Sequence, residues 1–208
     1  MRPILFLLFA LFISCSTQQT LSNREIEKDI HSFQTSLDKE YLDSVTTPLR
    51  GENFEKFKAH PFFPIDLKYR VIATLSKVKD PKPFEIPTSS GKVKVYRPYA
   101  VAQFEIEGQK LELTLYQSMD LMKKEEYKDY LFLPFRDATN GDTTYGGGKY
   151  IDLRIPKGRQ NRILIDFNKS YHPYCAYNAY DYSCPIVPAK NKLPISIKAG
   201  VMYEPVYF

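Results

Sequence analysis

The sequence predicts a mainly β protein, either an antiparallel β-sandwich or a partly open β-barrel, preceded by one amphipathic helix. Three observations carry this. Beyond residue 66 the chain falls into short β-branched and aromatic runs: KYRVIATLSKV, GKVKVYRPYAVAQFEI, KLELTLYQ, YLFLPF, KYIDLRI, RILIDF and LPISIKA. Turn-forming residues separate them. No helix-length apolar period lies between most of these runs, so antiparallel pairing is expected in place of helical crossovers. A long apolar period of three to four residues occurs before residue 48, and it defines the helix.

The N-terminus reads as a targeting segment. Met1-Arg2 precedes an apolar run from Ile4 to Ile13. Such a run is too short for a bilayer, which takes roughly 20 residues, and fits a signal-peptide core. It ends in FISC, which resembles the lipobox of bacterial lipoproteins, with Ser14 at the small position and Cys15 as lipid acceptor. An ordinary signal peptide, or a membrane anchor with an incidental cysteine, is the alternative. The expected organisation is a leader over 1–14, lipidated Cys15 and a tether over 15–21, a helix over 22–47 and a β-rich domain over 48–208. The polar STQQTLS that follows Cys15 has no acidic residue, which points to a bacterial cell-envelope protein facing the periplasm, with the membrane as a partner through Cys15.

The helix begins at Ser22-Asn23-Arg24-Glu25, an S-x-x-E capping box in which hydroxyl and carboxylate each satisfy a free backbone N–H. Ile26, Ile30, Phe33, Leu37 and Tyr41 then form one apolar stripe, which should end before Pro48. A second short helical turn is expected at ENFEKFK, and the prolines of HPFFPID force an extended connection. In the β-domain, Ala102, Phe104 and Ile106 alternate with Gln103 and Glu105; Leu111, Leu113 and Leu115 alternate with Glu112 and Thr114. Joined across EGQK, these predict a hairpin with one buried and one wet face.

The formal charge of +5 does not indicate nucleic acid, because basic residues are interleaved with acidic ones, as in KVKDPKPFE and KKEEYKDY. Nucleic-acid binding needs a concentrated basic face. With 16 Tyr, 14 Phe and no Trp, the chain suits strands and an aromatic-rich core or binding surface.

Two stretches could carry chemistry. In FRDATNGDTTYGGGKYIDL, residues 135–153, Gly141 and Gly146 have P-loop spacing, but Gly147 stands where the lysine belongs and a strand follows where a helix should. A hairpin turn or bulge is the plain reading. The functional reading is a polar loop presenting Asp137, Thr144, Tyr145, Gly146, Gly147, Gly148 and Lys149 to a ligand. The second stretch is LIDFNKSYHPYCAYNAYDYSCP. Asp166 and Asn168 sit at a strand end, where such residues form turns, or where Asp166 could act as a general base. Eight residues separate Cys175 from Cys184. In an oxidising compartment two such thiols pair, and closing the loop contributes roughly 2.5 kcal/mol in a chain-entropy model. A zinc site using His172 fails on spacing, since H-x2-C-x8-C matches no common arrangement. A reactive thiolate at Cys175 would need His172 or another positive group beside it. The disulfide is expected, and no metal or cofactor. Neither H-x3-H nor G-x-S-x-G occurs.

YRVIA, the 135–153 stretch and the segment from ILIDF to the AG pair at 199–200 resemble the domain of unknown function 1684 family, marked by T-Y-x-x-G-[RK]-Y and then D-F-N-x-x-Y-x-P-x-C-x-Y. The resemblance covers most of the chain after about residue 45. It implies that Thr144, Tyr145, Gly148, Lys149, Tyr150, Asp166, Phe167, Asn168, Tyr171, Pro173, Cys175, Cys184, Pro185 and Asn191 occupy the family's marked positions. Lys149 stands where arginine is usual, His172 where asparagine is common, and Val201 where glutamate often follows. The family brings no established activity. The expected function is therefore non-catalytic binding of a small polar molecule or envelope protein, using Asp137, Thr144–Lys149, Asn168 and Tyr171. The alternative is an envelope hydrolase with Asp166 as base, Lys149 and glycine N–H groups stabilising negative charge, and Tyr145 or His172 orienting the substrate.

Overall fold

The computed structural model describes residues 21–158 and 160–204. The expected leader, the lipidation site Cys15 and nearly all of the tether lie outside the described residues. The fold is mainly β, a single curled half-barrel sheet of seven antiparallel strands. Among the described residues no helix is long and apolar enough to cross a membrane.

Helix α1, Asn23–Leu42, starts at the Ser22 capping box, and buries Ile30, Leu37 and Tyr41. It stops five residues short of the expected end at 47. Asp43 takes an extended conformation (ψ 117°) and its carboxylate accepts the Val45 N–H at 2.9 Å, so a local turn replaces the next helical bonds. A short helix α2, Gly51–Lys56, follows.

The strands are β1 Arg70–Lys77, β2 Phe84–Pro87, β3 Val93–Ile106, β4 Gln109–Ser118, β5 Tyr130–Phe135, β6 Lys149–Arg154 and β7 Arg162–Asp166. Their order is β6-β5-β4-β3-β1-β7, with β2 also beside β3. The β3–β4 hairpin turns at Glu107-Gly108, both with positive φ, and its expected core face is in place: Ala102, Phe104, Ile106, Leu111, Leu113 and Leu115 are all buried. Along its other edge β3 changes partner. Val93–Tyr96 pairs with β2 and Ala100–Gln103 with β1. The register against β4 shifts between Pro98 and Ala100, where a proline without N–H cannot extend a regular ladder.

Two strands differ from expectation. LPISIKA, 193–199, is not a ladder strand; it bends at Pro194 and Ile195 and lies against 136–138, tied by Leu193 N–H to Arg136 O (2.8 Å) and Ala138 N–H to Ile195 O (3.0 Å). Pro194 lacks the N–H that a continuous ladder needs. β2 lies instead in a lysine- and proline-rich stretch whose charges hid it. The sheet's inner face holds the main core. On β5 and β6 the faces alternate: Leu131, Leu133, Phe135 and Ile151 point into that core, whereas Phe132 and Tyr150 join a second cluster with Tyr96, Tyr116 and Val187. Against that second face lie α1 and the cysteine-bearing segment, and the space among them is the cavity described next.

Candidate functional site

The loop predicted to face a ligand is largely internal. Asp137, Thr144, Gly148 and Lys149 are buried. The Lys149 ammonium is 3.0 Å from Asp137 Oδ2, donates to Ile197 O at 2.8 Å and lies over the Phe135 ring. Burial pulls its pKa down, and Asp137 opposes the shift. Asp137 Oδ1 accepts from the N–H and hydroxyl of Thr139 and from Ile197 N–H. The hydroxyls of Thr144 and Thr139 are 2.8 Å apart. Gly148 has φ +106°, and a Cβ there would come within 2.7 Å of Phe135 O and the Val187 side chain. Close approach, not phosphate cradling, is its physical use. Gly146 and Gly147 are exposed.

Asp166 and Asn168 form a staple between β7 and the entry to β1. Asp166 Oδ1 accepts from Asn168 N–H and Nδ2, its Oδ2 is 3.3 Å from Arg70 Nε, and Asn168 exchanges two bonds with the Asp66 backbone. His172 is 1% exposed and accepts the Tyr145 N–H at Nε2, with Tyr177 Oη at Nδ1. Burial, then Lys149 and His60, hold its pKa well below the usual value. The two predicted segments do meet: Tyr150 and Tyr171 exchange both backbone hydrogen bonds. Asp166, Lys149 and His172 nonetheless serve three separate buried networks.

The expected bridge between Cys175 and Cys184 is not formed in the structure, which carries two neighbouring thiols. Cys184 Sγ accepts the Cys175 N–H at 3.2 Å. A hydrogen bond from the Cys184 thiol brings the Cys175 pKa down to about 7, while the same bond and burial push Cys184 up. Both sulfurs border a small cavity of about 60 Å³ with Tyr145, Gly147 and Ser89. Among the described residues no three His, Cys, Asp or Glu side chains gather to hold a metal ion.

A larger cavity, about 340 Å³, opens beside this one. Its floor is the outer face of β5 and β6, with Tyr130, Phe132, Tyr150 and Asp152; one wall is α1, through Phe33, Leu37 and Glu40. The cysteine segment closes the opposite side with Tyr171, Tyr174 and Cys184, and Lys94 and Tyr96 of β3 complete it. Tyr130 and Tyr171 both donate to Asp152 Oδ1, at 2.6 and 2.8 Å. Tyr174 donates to Glu40 and Tyr150 to Pro185 O. Burial, reinforced by Asp152, raises the pKa of Tyr130 and Tyr171, so both phenols stay protonated donors. The volume falls within the range of small-molecule pockets, and the lining is largely aromatic.

Of the residues singled out in the sequence, Tyr150, Tyr171, Pro173, Cys184 and Pro185 line this cavity, together with Phe33 and Leu37 of the helical stripe. Asp152, Glu40, Lys94 and most of the tyrosines went unnoticed. The signal was the alternation in YLFLPF and KYIDLR, where Tyr130, Phe132, Tyr150 and Asp152 share the face opposite the aliphatic residues.

No curated protein matches the chain. An uncharacterized protein of Haloarcula marismortui, solved in solution by NMR, is similar at a TM-score of 0.67 and 28% identity, covering 86% of this chain and 95% of its own. The family model described as a protein of unknown function (DUF1684) matches residues 55–202, a span holding β1 to β7, the cysteine segment and most of the cavity lining. The chain belongs to the DUF1684 family.

Proposed function

We propose that this is a non-catalytic binding domain of the bacterial cell envelope, held to the membrane by lipid on Cys15, with the tyrosine-lined cavity as its binding site for a small molecule. One observation supports the site above all. Exposed Asp152 and half-buried Glu40 are held by phenols on the wall of a cavity of about 340 Å³, although core packing asks for neither carboxylate. A hydrolytic reading has less support, because Asp166, Lys149 and His172, three of its four named side chains, are each bound into buried networks and none of them lines that cavity. In an oxidising periplasm the adjacent Cys175 and Cys184 would close to a disulfide and fix the segment that walls the cavity. Native mass spectrometry of the full chain, recovered under mild conditions, tests the site: a stoichiometric small-molecule adduct lost on Tyr171→Ala and Asp152→Ala is expected. Unaltered adducts in both variants would place the ligand elsewhere. Replacing Cys15 with alanine should release the protein from the membrane fraction; unchanged partition would refute the anchor.

A further inference from the structure

We infer that the cavity recognises an organic cation, a small ammonium head carrying apolar substituents. The inference rests on the cavity being the binding site and adds the chemistry of its occupant. Tyr130 and Tyr171 give their protons to Asp152, Tyr174 to Glu40 and Tyr150 to Pro185 O. Those four phenols therefore offer an entering molecule π faces and oxygen lone pairs, not hydrogens. A π face is the negative part of the ring quadrupole and attracts a cation, best when water is excluded.

Charge points the same way. Among the described residues neither Asp152 nor Glu40 has a lysine or arginine nitrogen within 4.0 Å. Asp152 accepts both of its phenols at Oδ1, which leaves Oδ2 without a donor among the described residues. Among the described residues Lys94 is the one cation of the lining, and its charge acts on Asp120 and Cys184. Two carboxylates against one ammonium leave the cavity with an excess negative charge. Tyr96, Tyr182 and Ser183 supply its remaining hydroxyls. An anion would meet two carboxylates, and a neutral polyol would leave the negative charge uncompensated. An ammonium head answers both the charge and the rings.

The test compares three probes by calorimetric titration of the full chain: choline, its uncharged isostere 3,3-dimethyl-1-butanol, and methyl glucoside. Choline should bind at least about threefold more tightly than the isostere, since one cation–π contact in an open cavity accounts for about that factor. Asp152→Asn should weaken choline several-fold, whereas Lys94→Gln, on an exposed strand residue, should tighten it by removing a competing charge. Equal binding of choline and its isostere, tighter binding of the glucoside, or weaker choline binding after Lys94→Gln would overturn the cation and leave the cavity as a binding site. Silence of all three probes would overturn both readings.

Discussion

His172→Asn offers a direct test of how the fold excludes charge from its interior. The imidazole is 1% exposed and accepts the Tyr145 N–H, and burial with Lys149 nearby depresses its pKa well below 6.5. The sign follows from linkage. Below pH 6.5 the unfolded chain takes up a proton that the fold resists, so this contribution to stability is complete above 6.5 and lost as pH falls. Each pH unit between 6.5 and the folded pKa costs about 1.4 kcal/mol. Asparagine can still accept the Tyr145 N–H but does not titrate. Its smaller volume lowers stability by a similar amount at every pH, so the slope of Tm against pH carries the information. Thermal melts from pH 7.5 to 5.5 should show the parent losing about 3–5 °C more than the variant across that range. His60, also depressed by burial but hydrogen-bonded to Asp38, is common to both proteins and cancels. Parallel Tm–pH curves would refute a neutral buried His172.

Other substitutions test the remaining devices. Gly148→Ala combines positive φ with contacts of 2.7 Å and should cost about 2–4 kcal/mol in denaturant unfolding, against about 1 for Gly141→Ala, where φ is +87° but nothing lies within 4 Å; equal losses would mean that space at Gly148 is not limiting. Asn191→Ala leaves Thr114 N–H, Thr114 O and Pro134 O without their buried partner and should cost about 2–4 kcal/mol, with a loss below 1 contradicting the pairing. Protein recovered from the periplasm should present no titratable thiol at Cys175 and Cys184 before reduction and two after it, with reduction lowering stability by roughly 2.5 kcal/mol; two thiols without reduction would exclude the bridge.

Elements with strict periodicity were legible in the sequence. The capping box at Ser22, the Ile30–Tyr41 stripe and the 102–115 hairpin each have one residue spacing that admits one local structure. What escaped reading depends on partners distant in the chain. Asn191 reads as a loop residue, yet it substitutes for a strand: its amide bridges β4 and β5 where their ladder has shrunk to Tyr116 opposite Phe132. Lys149 reads as a ligand-facing cation because its buried partner, Asp137, lies twelve positions away across a loop. The cavity was hidden for the same reason. Its floor is the outer face of an alternating strand pair, a face that polar Tyr and Asp mark as solvent-facing until α1 covers it.

That cover is the physical link between the proposed anchor and the proposed site. Helix α1 is fastened along its length by Asp29 to Lys169, Asp38 to His60 and Glu40 to Tyr174. Exposed ion pairs contribute little individually. The buried face of Leu37 and Tyr41, packed on Phe57, Tyr177 and Val201, supplies most of the attachment. The same helix brings Phe33, Leu37 and Glu40 to the cavity, so it cannot detach without opening the site. Six residues lie between Cys15 and Ser22, and the seven chain steps that join them span at most about 25 Å. With lipid on Cys15, the first turn of α1 would stay within that distance of the bilayer, and the cavity-lining stretch from Phe33 to Glu40, farther along the helix, within roughly 50 Å of it. A short tether ending in a helix that forms a wall of the cavity is the arrangement expected where a ligand is met at the membrane.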